Sequence, residues 1–230
     1  MVTIEYNGIT NKKFNLIVTE FEQRKRAEEH IIEYEVEGRS GSIVDRLGTY
    51  KSYTRSFQFV NYKKDNYQKI HKWLSGSGIL RTSEDENGFF YADVINVIDR
   101  DYVGQYNGTT NLINVAFKVE PFFYFNKGQY ILEALGTKKL NNIGSIYSEP
   151  VIKVFGNGTG EISINDKVLR LTNINGYLTI DSRLQIAHKD KLPAGRNMVG
   201  DFPVFKEGEN IISFNGGISK LEIQPNWREL

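Results

Sequence analysis

The sequence predicts a mainly β chain with one α-helix, divided into two domains, and three observations carry that reading. Apolar and polar residues alternate through several stretches of the first half. One segment there has its apolar residues at helical spacing instead. From Glu149 onward, short strand-like runs recur at close intervals between spacers rich in glycine and asparagine.

Taken in order, Ile32, Tyr34 and Val36 alternate with Glu33, Glu35 and Glu37, the pattern of a half-buried strand whose glutamates face solvent and form no carboxylate site. The charged run Glu20–His30 (EFEQRKRAEEH) lacks a continuous apolar stripe and reads as surface, its conformation left open. In Lys51–Phe59, Tyr53, Phe57 and Phe59 point one way while Ser52, Thr54, Ser56 and Gln58 point the other. Asp65 is positioned to cap a helix that brings Tyr67, Ile70, Trp73 and Leu74 to one side and stops at Gly76, with His71 off the stripe and exposed. Ile113, Val115, Phe117 and Val119 repeat the strand pattern.

After the aromatic run PFFYF, Asn126, Lys127 and Gly128 open a more polar stretch, which sets the expected domains at 1–128 and 129–230. Beyond it the runs VIKVF, EISIN, YLTID, LQIAH, NIISF and KLEIQ, separated by GNGTG, NING, PAGRN, EGEN and NGG, predict a β-sandwich or jelly roll. The spacers read as turns.

Composition narrows the function classes. With 40% hydrophobic and 25% charged residues over 230 positions, the chain can bury a core. Lysine plus arginine (29) nearly cancels aspartate plus glutamate (28), so no long-range field draws it to nucleic acid or an anionic membrane. No apolar run reaches the ~18 residues of a membrane span, and MVTIEYNGIT lacks the pattern of a secretion signal. Cysteine is absent, which removes disulfides, thiolate metal sites and cysteine nucleophiles together.

No chemical motif survives inspection. The glycine-rich GNGTG at Gly156–Gly160 is followed by a strand, whereas a phosphate cradle needs a helix N-terminus there, so a hairpin turn is expected. Ser75-Gly76-Ser77-Gly78 lies at a helix exit. His30, His71 and His188 show no ligand spacing, and no GxSxG elbow is present. Glu84, Asp85 and Glu86 before Asn87-Gly88 lack the alternation of a calcium loop and read as a polar turn. The sequons at Asn107 and Asn157 read as turns. Catalytic carboxylates on separate strands would leave no spacing to detect, so the sequence is silent on them. Aromatic residues reach 13%; most occupy core-facing strand positions, with one or two left open as sugar-stacking platforms. No catalytic residue, cofactor or metal ligand is assigned.

Several segments, in order, resemble the distal tail proteins of siphophages that infect Gram-positive bacteria. They are VTIEYNGITNKKFNLIVTE, RAEEHIIEYEVEGRSGSIVDRLGTYKSYTRSFQF, GSGILRTSEDENGFFYADVI, AFKVEPFFY, SEPVIKVFGNGTGEISIN, LTIDSRLQIA and the C-terminal NMVGDFPVFKEGENIISFNGGISKLEIQPNWREL. The resemblance covers nearly the whole chain and is weaker around Thr137–Asn142. It implies a non-enzymatic virion protein at the distal end of the tail, assembled in the host bacterial cytoplasm. Its N-terminal domain would form a hexameric ring and its C-terminal domain a galectin-like sandwich.

The implied partners are further copies of the chain, the tail tube protein, the tail-associated hub or lysin protein, and receptor-binding or peripheral baseplate proteins. A carbohydrate-binding module contacting host cell-wall polysaccharide is the alternative, and a glycan-cleaving enzyme a more distant one. In the family a glycine-containing turn, here Gly38–Ser42, precedes a long β-hairpin. The hairpin expected over Arg46–Phe59 is the candidate ring interface, with Arg46, Leu47, Tyr50, Ser52, Thr54, Ser56 and Gln58 facing the neighbour. Trp227 is expected to dock the C-terminus onto the N-terminal domain, because a large apolar side chain so near a chain end needs cover.

Overall fold

A computed structural model describes residues 2–61, 67–96, 99–102 and 111–230. The expected helix cap Asp65 and the turn at Asn107 lie outside these residues. The chain divides into two compact units, Met1–Phe123 with Leu230, and Tyr124–Glu229.

The first unit contains strands β1 (Ile4–Tyr6), β2 (Ile9–Thr10), β3 (Leu16–Phe21), β4 (Glu29–Glu35), β5 (Ser42–Tyr50) and β6 (Tyr53–Asn61). Helix α1 (Tyr67–Trp73) follows, then β7 (Ser77–Thr82), β8 (Gly88–Val94), β9 (Asp99–Tyr102) and β10 (Asn111–Val119). Its main sheet runs β2-β1-β7-β8-β10-β6-β3, with β9 also paired to β10. All of these pairings are antiparallel.

Alternation decides which face is buried. Phe57 and Phe59 of β6, and Ile113, Val115, Phe117 and Val119 of β10, are almost fully enclosed. Phe117 meets Phe57 and Tyr6 edge-on at 5.8 and 5.1 Å. Helix α1 closes over this layer with Ile70 and Trp73, and Leu74 just beyond it is buried too. The Trp73 indole donates to Tyr6 O at 3.0 Å, which gives its polar atom a partner. His71 is exposed, and Gly76, three residues past the helix end, takes φ +70° in the turn into β7.

One residue of β6 breaks the apolar face. Arg55 is in phase with Tyr53 and Phe57 and is fully buried. Its guanidinium is held by Asp85 at 2.8 Å and by the Glu22 carbonyl at 3.0 Å. The same Asp85 oxygen accepts from Thr82 at 2.8 Å. The acidic run at Glu84–Glu86 thus lies in the turn between β7 and β8, with its middle carboxylate committed to a buried arginine.

The second unit contains most of β11 (Phe123–Phe125), then β12 (Leu132–Ala134), β13 (Lys138–Asn142), β14 (Val151–Ile164), β15 (Lys167–Asp181), β16 (Ile186–Lys189), β17 (Leu192–Pro193), β18 (Met198–Val199), β19 (Gly208–Gln224) and β20 (Arg228–Glu229). Eight of these form one sheet in the order β12-β19-β14-β15-β16-β17, with β13 on β19 and β18 on β15, and β20 pairs with β11.

Three of the spacers expected as turns, GNGTG, NING and NGG, prove to lie inside long strands. VIKVF, GNGTG and EISI form the single strand β14, and NIISF, NGG and KLEIQ lie within β19. Register shifts between β14 and β19 mark the bends, near Gly156–Gly160. Glycine is required there: a Cβ on Gly217 would sit 1.8 Å from Asn157 O, and one on Gly160 2.7 Å from Asn215 O. The hairpin turn joining β14 to β15 is Asn165-Asp166, with Asn165 at φ +51°. Ile152 and Val154 before the bend share one core with Ile162 and Ile164 beyond it, so the long strands let the sheet pack on itself.

The stretch at Asn126–Gly128, expected as the domain boundary, belongs to the second unit. Gly128 lies against Trp227, and Asn226 N–H donates to Gly128 O at 2.8 Å.

Candidate functional site

The candidate surface is built by β4 and β5. They form a two-stranded sheet of their own, apart from the main sheet. Register pairs Ile32 with Asp45 and Tyr34 with Ile43; Ile31 pairs with Arg46, Glu33 with Val44 and Glu35 with Ser42. Because cross-strand partners share a face, these two sets lie on opposite sides of the ribbon.

Both sides carry apolar side chains in the open. Ile31, Ile32, Tyr34, Val36, Ile43, Val44 and Leu47 are each between 39% and 50% exposed. The tip is the glycine segment after Val36: Val36 O accepts from Arg39 N–H at 3.1 Å, and Gly38 and Gly41 take φ of +81° and +83°. At the base, Glu29 pairs with Arg46, His30 Nδ1 meets Thr49 Oγ1 at 3.0 Å, and Tyr50 packs edge-on against Phe122 at 5.8 Å.

The hairpin expected over Arg46–Phe59 is corrected by this arrangement. Strands β5 and β6 are consecutive but belong to different sheets, and β6 pairs with β3 and β10. The hairpin is Glu29–Tyr50, and Gly38–Ser42 makes its turn and opens its second strand. Of the candidate interface residues, Arg46, Leu47 and Tyr50 lie on the ribbon and Ser52 in the link after it. Thr54, Ser56 and Gln58 lie on β6, where Ser56 N–H donates to Glu22 Oε2 at 3.0 Å and Gln58 Oε1 accepts from Thr19 at 2.9 Å. The structure therefore does not gather the seven onto one hairpin.

The expectation that Ile32, Tyr34 and Val36 are half-buried behind a polar face fails, since both sides of the ribbon are open, while Glu33, Glu35 and Glu37 face solvent as expected. Sequence reasoning misses Ile31, Ile43 and Val44. The signal for them is present all the same: the doublets Ile31-Ile32 and Ile43-Val44 break period-two alternation and put one apolar side chain on each face.

Trp227 is 5% exposed within the second unit's own core. Its ring lies 5.5 Å from Phe205 and its carbonyl accepts from Phe125 N–H at 2.9 Å. Arg228 beside it is buried against Glu149 at 2.7 Å and the Tyr147 carbonyl at 3.0 Å. The need for cover that placed Trp227 on the N-terminal domain is met inside the second unit, by Phe205 and the core around it. Leu230 groups with the first unit, where its carbonyl accepts from Arg24 at 3.2 Å.

Among the described residues, no group of three or more histidine, cysteine or acidic side chains could hold a metal ion. The ribbon's chemistry is that of a contact surface: apolar side chains bordered by Glu33, Glu35 and Asp45, with Arg46 at one end.

No family model matches the chain. No curated protein matches it either. Among solved structures it is similar to the Dit protein of phage SPP1, described as a paradigm of the hub adsorption apparatus in phages infecting Gram-positive bacteria. The match has a TM-score of 0.70 and covers 97% of each chain at 11% sequence identity. The two proteins share a fold along nearly their full length.

Proposed function

We propose that this chain is a structural protein of a phage tail tip, forming a hexameric ring through its first unit, with the β4–β5 ribbon as the surface that a neighbouring copy covers. The likeness to SPP1 Dit supports the tail-tip setting. The observation that carries the ring is the ribbon itself. A hairpin of two strands is marginal in water by itself, and this one leaves large apolar side chains open on its two faces. A second copy supplies the missing layer, and a closed ring gives every ribbon the same neighbour.

In this reading the ring joins the tail tube to the tail-associated hub, and the second unit holds receptor-binding or peripheral baseplate proteins. The virion is its place of action, and its work is contact and geometry with no catalytic step.

Negative-stain images of the purified full chain are the test. Rings with a central channel are expected from the wild type, and none when residues 32–45 are replaced by a short glycine-serine turn. Rings that persist without the ribbon would remove it from the interface.

A further inference from the structure

The second unit carries a polar and aromatic surface that ring formation does not use. On β14 and β15, Ile152, Val154, Leu178 and Ile180 face the core, so Lys153, Phe155, Tyr177 and Thr179 point the other way and are half-buried. Phe155 and Tyr177 are cross-strand partners with ring centroids 6.2 Å apart. Three ammonium groups from three strands gather on this pair. Lys153 Nζ lies 4.3 Å from the Tyr177 ring and 5.1 Å from Phe155. Lys220 lies 4.5 Å from Phe155, and Lys189 5.4 Å from Tyr177.

These lysines differ in what balances them. Lys220 is paired with Glu222 at 2.8 Å and Glu133 at 3.4 Å. Lys189 donates to the Asn175 carbonyl at 2.5 Å, which supplies no counter-charge. Lys153 rests on the two rings, with Thr179 and Glu222 across from it on the neighbouring strands, and among the described residues it makes no ion pair. Asp190 is taken up by the Tyr177 hydroxyl. Among the described residues, two ammoniums therefore flank one tyrosine ring without a carboxylate bonded to either.

We propose that this face binds an acidic saccharide. A carboxylate or phosphate on the sugar meets the ammoniums of Lys153 and Lys189, and the C–H face of the sugar ring packs on Tyr177 and Phe155. Each part of the ligand has a counterpart. A charge-assisted bond to an ammonium is stronger than a neutral one, and the aromatic faces hold Lys153 in place before the ligand arrives. Thr179, across from Lys153, offers a hydroxyl partner for the sugar. Apolar surface alone would select no sugar, and lysines alone would select any polyanion. The pairing of the two is what favours this class. The site lies wholly within the second unit and stands or falls independently of ring formation.

Isothermal titration calorimetry on the full chain tests it with three probes of equal length: oligogalacturonate, a phosphorylated mannan oligosaccharide and neutral dextran. Saturable binding is expected for at least one acidic probe, and comparing the two identifies carboxylate or phosphate as the group recognised. Lys153→Ala should weaken that binding by about ten-fold or more, the scale of one lost charged hydrogen bond. Lys153→Arg should retain it, and Lys189→Ala should weaken it without altering thermal melting. Tyr177→Ala should abolish it; should that variant misfold, the two lysine variants decide. No binding of either acidic probe, equal binding of dextran, or full affinity in Lys153→Ala would overturn the proposal.

Discussion

Tyr34 and Ile43 face each other across the β4–β5 ribbon, and although each is a large apolar residue paired with another, they are 49% and 43% exposed. Cross-strand pairing is the unit of sheet stabilisation, but here it removes only part of either side chain from water. A neighbour that covers this pair should slow exchange of the ribbon's backbone amides. Hydrogen-exchange measurements should therefore find residues 29–50 protected in the assembled ring and fast-exchanging in dilute monomer, while β6 and β10 stay protected in both. Slow exchange of the ribbon in the monomer would show that it needs no partner.

The ion pair of Arg55 and Asp85 makes a separate prediction about the first unit. Removing one member of a buried pair leaves the other charge uncompensated, which costs about 3–5 kcal/mol. Asp85→Ala should lower stability by that order in urea unfolding. The double variant Arg55→Met/Asp85→Ala should recover much of the loss. An Asp85→Ala protein as stable as the wild type would mean that water reaches Arg55.

At the bend of the second unit, an added methyl on Gly217 meets a backbone oxygen, not a flexible side chain. Gly217→Ala should destabilise this unit by roughly 1–3 kcal/mol, the range for overpacking a filled site. Gly136, where an added Cβ would meet nothing within 4 Å, is the control. Differential scanning calorimetry reads both.

Trp227→Ala should cost about 3–5 kcal/mol, as large-to-small changes in a core do, because the indole packs on Phe205 inside the second unit. A truncation after Gln224 should do at least as much harm, since it also removes Arg228 and its bond to Glu149. If either variant melted like the wild type, the C-terminal strand would not close that core.

Tyr6 predicts a pH dependence. Burial, aided by the charge of Asp93, raises its phenol from the ordinary 10.0 to about 12, and its hydroxyl donates to Gly76 O at 2.6 Å. The folded state holds the proton more tightly than the unfolded chain, so this contribution is full below pH 10.0 and is lost as pH rises toward 12. Stability measured across that window should fall less steeply in Tyr6→Phe. Identical slopes would contradict the shift.

Much of this architecture is legible in the residues because burial follows simple periods. Phe57 and Phe59 alternate as a half-buried strand should, and Ile70, Trp73 and Leu74 recur as a helix requires. What escapes depends on partners distant in sequence. Arg55 reads as an interruption of β6 until Asp85, thirty residues on, is brought beside it. GNGTG has the composition of a turn, and only the close approach of Gly217 shows that the glycines serve a bend. The expected hairpin is misplaced because Ser52, Thr54, Ser56 and Gln58 alternate well, yet the last three belong to the main sheet and Ser52 to the link before it. The apolar doublets of the ribbon leave side chains open on both faces within the single chain, so period-two reasoning misassigns them. The Lys153 cluster draws on four strands, β14, β15, β16 and β19, whose residues share no sequence window.

The measurement that bears most directly on the ring is native mass spectrometry of the full chain at rising concentration, beside the double variant Tyr34→Lys/Ile43→Lys. The wild type is expected to populate a hexamer, and the variant to remain monomeric with an unchanged melting temperature. A wild type that stays monomeric at every concentration, or a variant that still forms the hexamer, would contradict the account.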